Sequence, residues 1–448
     1  MFKKILPLLF ASCFLNLAIA QELTLQLVPD LFQNVKTNPA LVPDERLVVA
    51  LPGIYGSYFH TPGSIASLFN VNDNIGQLDV SALLTNLEST NTLKINLELE
   101  TVRVHFRVND KLSLNLGHAI KSNSYLKYAD KLPQVFWEGN SQFIGQEVAF
   151  GPDQQSFAYN EIGLGAAYKV GKLTLGAKAK WLTGIGDVST DRTDASLYTD
   201  DDIYQLKLTT DYRINSSTFS DVLLFDTLSG YDVEYGFDDV LSFKNFTTEN
   251  TGLAFDLGLD FEVSNKLSIS ASIIDWGKIN WTKSVTNYHS NGTSNFDGLD
   301  FSNVLSGGDI SFSSVVDSIE NIFKFEETNN SYSTALAPKI YVNARYQVSD
   351  ALMVGGLFYN EFYRGETFSA VALSAQAKFM ERFSVGASYS VRNKTYDNVG
   401  LSATAKLGPV QLYVVTDNVI AAIQPYESKN VNLRVGLNLV LGSSDEAE

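Results

Sequence analysis

The ten residues Phe383–Arg392, FSVGASYSVR, alternate strictly between two kinds of side chain. The odd positions are apolar or aromatic: Phe383, Val385, Ala387, Tyr389 and Val391. The even positions are small or polar: Ser384, Gly386, Ser388, Ser390 and Arg392. Successive side chains of a β-strand point to opposite faces, so one face of this segment suits lipid and the other suits water. About ten tilted residues cross a hydrocarbon layer of roughly 30 Å, so the segment predicts a membrane-spanning strand.

Fourteen segments of the chain show such an apolar face. They are residues 46–58, 93–108, 112–128, 156–170, 173–188, 252–263, 267–281, 335–348, 352–364, 368–379, 383–392, 399–407, 410–416 and 430–441. Their connections alternate between very short turns and mostly longer loops. This pattern predicts an all-β fold, a transmembrane antiparallel up-and-down barrel over residues 46–442. Short periplasmic turns and long extracellular loops then place both chain ends in the periplasm.

Two segments leave alternatives open. Within residues 93–108 the apolar positions are odd-numbered at first and even-numbered later, so we expect a bulge near Glu100, or else two strands and a tight turn. Residues 204–212 also alternate, and we place them in a hairpin above the membrane within the external excursion 189–251. Sixteen strands remain an alternative. A soluble β-sandwich also has alternating strands, but the polar faces here are mixed and Gly-rich rather than heavily charged.

The two ends of the chain carry separate signals. Residues 1–20 join a basic start to an apolar run that ends in Ala18-Ile19-Ala20, which predicts a cleaved signal peptide. The single cysteine, Cys13, lies in this leader; acylation there is an alternative, and otherwise the mature chain has no thiol. Residues 21–45 form a plug-like N-terminal segment. Residues 443–448 form an acidic tail.

Composition limits the partners. A formal net charge of −17 makes nucleic acid a poor partner. The acidic external excursion offers oxygen ligands, but its three adjacent aspartates lack the spacing of an EF-hand, so no metal and no cofactor is predicted. The four histidines have no G-x-S-x-G element beside them, which predicts no catalysis. The expected partners are outer-membrane lipid, lipopolysaccharide and the barrel-assembly machinery, which reads a final strand like residues 430–441.

The alternation also assigns charged side chains to the lumen. The principal ones are Arg103, Arg107, Lys178, Lys180, Asp256, Asp260, Arg345 and Arg434. The same phase includes His105, Glu262, Lys339, Lys378, Arg392 and Lys406. Opposite charges on one inner surface can pair across strands, or they can form a constriction that selects a solute. Trp276, Trp281 and Tyr389 are expected in the aromatic girdles.

Several motifs resemble known families. Asn38-Pro39-Ala40-Leu41 is similar to the superfamily of long-chain fatty-acid transporter barrels, which includes the type IX secretion shuttle barrel. That resemblance implies fourteen strands and a plug motif in the N-terminal segment. A second group resembles a Bacteroidota family of outer-membrane proteins of unknown function, which implies location and fold. Its motifs are Glu138-Gly139-Asn140, Asp275-Trp276-Gly277-Lys278-Ile279-Asn280-Trp281, Phe296-Asp297-Gly298-Leu299-Asp300, Thr416-Asp417-Asn418 and Asn432-Leu433-Arg434-Val435-Gly436.

Two functions fit these patterns. The first, which superfamily analogy favours narrowly, is a passive channel for small hydrophobic solutes, with a wall opening near Gly163, Gly165 or Gly355-Gly356. The second is a scaffold that displays its long loops to a secretion, motility or surface partner. An apolar pocket with a gap in the wall favours transport. A closed, ion-paired interior favours the scaffold.

Overall fold

The computed structural model shows one closed β-barrel. It describes residues 22–61, 63–64, 80–202, 204–217, 248–296, 323–379, 382–392, 395–424 and 428–442. The predicted signal peptide and the acidic tail lie outside the described residues, as do residues 218–247 and 297–322 of the two longest loops.

Twenty strands lie among the described residues. They are β1 (Leu47–Ala50), β2 (Gly53–His60), β3 (Thr90–Arg107), β4 (Leu112–Ala129), β5 (Glu147–Ala149), β6 (Asp153–Val170), β7 (Leu173–Thr199), β8 (Leu206–Ser217), β9 (Thr251–Glu262), β10 (Leu267–Trp281), β11 (Val285–Phe296), β12 (Glu326–Thr328), β13 (Tyr332–Ala335), β14 (Lys339–Ser349), β15 (Leu352–Tyr363), β16 (Glu366–Phe379), β17 (Phe383–Arg392), β18 (Thr395–Leu407), β19 (Val410–Thr416) and β20 (Asn430–Leu441).

The barrel wall has fourteen strands around its ring. β1 and β2 count as one strand, because they form a single strand with an interruption. β13 and β14 also count as one, because both pair with β10, one after the other. The order around the ring is β1 with β2, then β3, β4, β6, β7, β9, β10, β14, β15, β16, β17, β18, β19 and β20. Neighbours pair antiparallel, and the ring closes where β20 pairs with β1 and β2. The predicted fourteen-strand barrel is confirmed, and the sixteen-strand and β-sandwich alternatives are wrong.

The outer face of the wall is apolar. In Phe383–Arg392 the odd-numbered side chains are exposed and the even-numbered ones are buried, as the alternation predicts. Leu164, Leu253 and Leu373, on three other strands, are 62%, 59% and 65% exposed. An exposed apolar surface of this extent is unfavourable in water and is covered by hydrocarbon in a membrane.

The two rims of the barrel differ. At one rim, which we call the short-turn rim, consecutive wall strands are joined by residues 108–111, 171–172, 263–266, 350–351, 380–382 and 408–409. The opposite rim, the long-loop rim, carries most of the longer connections. The wall also begins and ends at the short-turn rim, where Arg46 N donates to Gly442 O at 3.1 Å.

The predicted bulge in β3 is confirmed, and the alternative of two strands with a tight turn is wrong. The pairing of β3 with β4 shifts register between Glu100 and Val102. The extra residue, Thr101, reverses the phase of the strand, so Glu100 and Arg103 are both buried on the lumen side.

The predicted hairpin above the membrane is formed by the upper part of β7 and by β8. β8 also pairs with β11, and the short strands β5 and β12 lie at the two edges. We call β5, upper β7, β8, β11 and β12 the surface sheet. It extends the barrel beyond the long-loop rim, because upper β7 continues past the last pair that β7 makes with β9, Thr183 with Thr251.

The described helices are short. They are α1 (Leu23–Gln26), α2 (Val80–Asn86), α3 (Lys131–Glu138) and α4 (Val419–Ile423), with 3-10 turns at Phe32–Lys36 and Ser141–Phe143. Within the described ranges, no helix has the length and hydrophobicity needed to cross a membrane.

The girdle assignment is wrong for Trp281, which is fully buried and donates from Nε1 to Thr334 Oγ1 at 3.0 Å. The cause is a second bulge. The pairing of β10 with β9 shifts register between Ile273 and Trp276, which reverses the phase of β10. Trp276 therefore points outward, at 62% exposure, and Trp281 points into the lumen.

The glycine positions do not open the wall. Gly355 and Gly356 pair with residues of both β14 and β16. Gly163 and Gly165 pair with residues of both β4 and β7. The predicted wall opening at these four glycines is wrong, because a missing side chain leaves the backbone hydrogen bonds of the ladder intact.

Candidate functional site: the plugged lumen

The first described residues of the chain lie inside the barrel, and we call residues 22–41 the plug. Its apolar side chains pack against inward-facing wall residues in three clusters. Leu23 and Leu27 pack with residues of β10, β14, β15 and β16. Leu25, Val28 and Leu31 pack with β19. Burial of apolar surface therefore holds the plug against several sides of the lumen at once.

The start of the plug is anchored by a carboxylate. Asp417, which follows β19 directly, accepts the backbone N–H of Thr24 at 2.6 Å and of Leu23 at 3.1 Å. Asn432 Nδ2 donates to the same carboxylate at 2.7 Å. Thr24 Oγ1 lies 2.8 Å from Ser388 Oγ on β17. Charge-assisted hydrogen bonds of this kind are stronger than neutral ones, so Asp417 fixes the position of α1 in the lumen.

The Asn38-Pro39 step lies flat on two glycines of the wall. Gly176 of β7 and Gly258 of β9 are directly paired. A Cβ at Gly176 would overlap the backbone of Pro39, and one at Gly258 would overlap the Asn38 amide. The Asn38 side chain in turn donates to Leu259 O at 3.1 Å. The motif therefore needs a wall without side chains at this place.

We predict that Gly258→Val displaces the plug while leaving the barrel folded. The added side chain would occupy the space of the Asn38 amide, and overpacking of this kind typically costs about 1–3 kcal/mol. Limited proteolysis of the folded, detergent-solubilised barrel should then cut within residues 22–45. The matched control is Gly356→Val on the outer face, where the nearest atom lies 3.6 Å from a Cβ. Equal protection in both variants would contradict the prediction.

The middle of the lumen holds buried ion pairs around Lys36 of the plug. Lys36 Nζ contacts the carboxylates of Glu98 and, at 3.4 Å, Glu100. Arg103 Nε donates to Glu100 at 2.6 Å, and Arg434 lies 3.3 Å from Glu98. The bulge in β3 brings the two carboxylates and Arg103 to one side. Removing a single partner would leave a buried charge unpaired, which is strongly unfavourable.

The ion pairs continue across the lumen through Asp275. This residue has a φ of +59° at the bulge of β10, and its backbone N–H donates to Asp256 Oδ1 at 2.8 Å. Its two carboxylate oxygens accept from Lys180 at 2.5 Å and from Lys339 at 2.6 Å. The bulge thus turns an acidic side chain inward between two lysines from different strands.

We call these ion pairs, together with the neighbouring buried pair of Lys94 and Glu361, the lumen network. Among the described residues it contains eight cationic side chains, Lys36, Lys94, Arg103, Lys121, Lys178, Lys180, Lys339 and Arg434. It contains seven anionic ones, Glu22, Glu98, Glu100, Glu161, Asp256, Asp275 and Glu361.

The structure separates the charges that the alternation assigned to the lumen. Those in the lumen network are Arg103, Lys178, Lys180, Asp256, Lys339 and Arg434. Asp260 and Arg345 instead pair with each other at 2.5 Å. Arg107 lies next to the short-turn rim, where it contacts Asp44 at 3.2 Å.

Sequence reasoning missed more than half of the network. The missed residues are Glu22, Lys36, Lys94, Glu98, Glu100, Lys121, Glu161, Asp275 and Glu361. Lys94, Glu98 and Glu100 alternate with apolar residues in β3, so the phase argument already used for Arg103 identifies them. Asp275 gave no such signal, because its inward position depends on the bulge.

A cavity of about 90 Å³ lies in the network, and we call it the lumen chamber. Glu22 and Lys36 of the plug contribute to its lining. Phe157, Tyr159 and Tyr363 form part of the opposite lining. Lysine and carboxylate side chains share the lining with aromatic and aliphatic ones, so charged and apolar groups both face the chamber.

A second cavity, of about 280 Å³, lies at the short-turn rim between the plug and the wall. Its lining includes Asp30 and Glu45 from the N-terminal segment and Lys378 and Lys406 from the wall. Lys378 lies 3.5 Å from Asp30, and Lys406 lies 3.3 Å from Glu45. These pairs are half-exposed, so each contributes little to holding the plug.

The surface sheet presents a polar face. Arg192 and His289 both contact Asp211, at 2.7 Å and 2.9 Å, and these hydrogen bonds, from His289 above all, lower the pKa of the Asp211 carboxyl. Thr209 and Thr293 lie beside each other on neighbouring strands, 3.4 Å apart and exposed. In the described part of the chain, no three potential metal-binding side chains cluster together.

A family model described as a family of unknown function (DUF5723) matches residues 39–417. The chain belongs to this family. No curated protein matches the sequence. The matched residues include Asp275, which belongs to the lumen network, and Asp417, which anchors the plug. Motif residues Asn432 and Arg434 lie past the end of the match and contact the same groups.

The solved structures that resemble this chain in backbone path include three barrels. The toluene transporter TbuX of Ralstonia pickettii has 9% identity and a TM-score of 0.45, covering 92% of this chain and 94% of that chain. The toluene transporter TodX of Pseudomonas putida has 9% identity and a TM-score of 0.42, covering 91% and 92%. A FadL homologue of Pseudomonas aeruginosa has 9% identity and a TM-score of 0.41, covering 92% and 94%.

Proposed function

We propose that this protein is an outer-membrane barrel, closed by its own plug, that displays its surface sheet to a partner outside the cell. In this orientation the short-turn rim faces the periplasm and the long-loop rim faces outward. The observation that carries the proposal is the plugged, ion-paired lumen. A closed, ion-paired interior favours a scaffold, whereas an apolar pocket with a gap in the wall would favour a channel for hydrophobic solutes.

A hydrophobic solute fits this interior poorly. It would have to displace the plug and pass a lumen network of eight cations and seven anions among the described residues. Separating buried ion pairs without replacing their partners costs several kcal/mol for each ion. An apolar molecule offers no such replacement. The closed state therefore opposes passive flow of apolar solutes along the lumen axis.

The surface sheet supplies the displayed surface. It rests on a wall strand, since β7 runs without interruption from the short-turn rim into the sheet. Its exposed face carries hydroxyl, amide and paired charged groups, as Thr209, Asp211 and Thr293 illustrate. A polar face of this kind suits a partner that is bound by hydrogen bonds rather than by apolar burial.

We predict that Thr209→Arg with Thr293→Arg weakens partner binding by at least tenfold. Two long cations placed side by side would block the flat face and repel each other. The measurement is chemical crosslinking on intact cells, followed by purification of the barrel and its crosslinked partner. The control is Asp110→Arg in a turn of the short-turn rim. Equal crosslinking of both variants and of the unmodified protein would contradict the display function.

A second function, a gated channel, is favoured by one observation. The lumen chamber and the 280 Å³ cavity lie against different parts of the N-terminal segment, so a shift of the plug could connect them. Liposome uptake of a labelled fatty acid tests this directly. Uptake by folded protein would support the channel and count against a purely displaying barrel, whereas its absence is expected for the plugged state.

A further inference from the structure

The turn between β15 and β16 carries an arginine in an unusual backbone conformation. The last pair of these strands is Tyr363 with Glu366, so Arg364 and Gly365 form a two-residue turn at the long-loop rim. Arg364 has a φ of +48° and Gly365 a φ of +75°. Both values suit a tight hairpin turn, but a residue other than glycine is uncommon where φ is positive. Strain of this kind persists where surrounding contacts hold the residue in place.

The Arg364 guanidinium makes those contacts on β6 and β7, which β9, β10 and β14 separate from β15 along the ring. Its Nε donates to Asp153 Oδ1 at 2.7 Å, and its Nη1 donates to Gln155 Oε1 at 3.3 Å. Its Nη2 donates to the backbone carbonyl of Thr190. We call these contacts the Arg364 clasp. Because the donor is charged, they are stronger than hydrogen bonds between neutral groups.

The clasp lies at the base of the surface sheet. The ladder between β6 and β7 ends at the pair of Gln155 with Ser189. One residue later, between Thr190 and Arg192, the pairing of β7 with β8 shifts register. A bulge interrupts the ladder and lets a strand bend. The angle of the surface sheet against the barrel is therefore set near Thr190, whose carbonyl Arg364 holds.

The hairpin that carries Arg364 is itself well supported. Below the tip, its buried side chains share one cluster with Leu23 and Leu27 of the plug; they are Leu357, Tyr359, Ala370 and Ala372. Next to the tip, Glu366 accepts from the Tyr125 hydroxyl at 3.0 Å and lies 2.9 Å from Lys127 Nζ. Tyr125 and Lys127 belong to β4. Arg364 thus extends from an element that is fixed to the plug and to the opposite wall.

We propose that the β15–β16 hairpin braces the surface sheet, and that Arg364 is the positioning residue that fixes the angle of the sheet against the barrel. The brace holds the exposed face in one orientation toward its partner, and this consequence rests on the proposed display function. Without the clasp the sheet bends at the bulge near Thr190. Since hydrogen bonds to charged groups are strong, loss of the clasp should raise the population of bent orientations by about tenfold.

Spin-label distances measured by electron paramagnetic resonance test the brace without any partner. One label is placed at Thr209→Cys on the exposed face of the sheet, and the other at Leu401→Cys, which is exposed on β18. Cys13→Ala removes the native thiol. The folded barrel with an intact clasp should give one narrow distance distribution. Arg364→Met should broaden or shift it, because the apolar side chain cannot bridge the two strands.

Two further variants separate the clasp from strain in the turn. Asp153→Asn weakens the clasp from the other side and leaves the turn untouched, so it should broaden the distribution less than Arg364→Met. The double variant should match Arg364→Met, since both changes remove the same interaction. The matched control is Arg382→Met in a turn of the short-turn rim, which should change nothing. An unchanged distribution in Arg364→Met overturns the brace, and so does an equal change in Arg382→Met.

Crosslinking on intact cells then tests the consequence for the partner. Arg364→Met should reduce the crosslinked partner by about tenfold, and Arg382→Met should not. Undiminished crosslinking in Arg364→Met, with a broadened distance distribution, would overturn the positioning role. If the unmodified protein captures no partner at all, the display function fails, and the distance measurement alone decides the brace.

Discussion

Removal of residues 22–41 should convert a closed barrel into a conducting pore. The wall keeps its complete ring of interstrand pairs without the plug, since β20 pairs with β1 and β2. The plug fills the lumen through its three apolar clusters, so its loss leaves a hydrated, charged channel. Single-channel recording in planar bilayers should show steady conductance for the deletion variant and rare or no openings for the unmodified protein.

The deletion needs a matched control. Removing the predicted acidic tail, residues 443–448, shortens the chain but leaves residues 22–41 in place, and this variant should stay closed. Both variants must run as folded barrels in unheated electrophoresis before their conductance is compared. Equal, steady conductance of the unmodified protein and the plug deletion would show that the plug does not close the lumen.

The second large effect is expected at Asp275. Asp275→Ala leaves Lys180 and Lys339 without the carboxylate that both contact, and the loss of one partner from a buried ion pair typically costs about 3–5 kcal/mol. Urea unfolding in lipid vesicles measures the change in the free energy of unfolding. The control is Asp260→Ala, since Asp260 pairs only with Arg345 among the described residues and is less buried. If Asp275→Ala lowered the free energy of unfolding by less than about 1 kcal/mol, the proposed contribution of the lumen network to stability would be contradicted.

The wall could be predicted because each strand shows its two faces in its own sequence. A period of two residues, a lipid-facing apolar row and short turns are all visible in segments such as Phe383–Arg392. The same reasoning located the bulge near Glu100, since a strand that changes phase must carry one extra residue against its partner. Fold and approximate strand bounds therefore followed from the sequence.

The site was less predictable because it depends on contacts between distant parts of the chain. Asp275 lies on the apolar phase of its strand until the bulge in β10 is known, and the same bulge misled the assignment of Trp281. The plug depends on partners nearly four hundred residues away, such as Asp417 for Thr24. Alternation along one strand carries no information about such partners.

The motifs could be recognised in the sequence, but their structural roles could not. Asp417 and Asn432 were visible as parts of short polar segments, and the structure gives them one task, the anchoring of α1. Asn38-Pro39 gains meaning only from Gly176 and Gly258, which lie on two other strands. Each motif is one half of a contact, and its other half lies elsewhere in the chain.

A disulfide between the plug and the wall tests the central claim most directly. Thr24→Cys with Ser388→Cys replaces two hydroxyls whose oxygens lie 2.8 Å apart, close to the roughly 2 Å of a sulfur–sulfur bond. The only native cysteine, Cys13, lies in the predicted leader, and Cys13→Ala in both double variants removes it as a competing thiol. The control pairs Thr24→Cys with Ser369→Cys, which faces outward. A plug inside the lumen predicts near-complete crosslinking of the first pair in native membranes and none of the second; an uncrosslinked first pair in folded protein would contradict it.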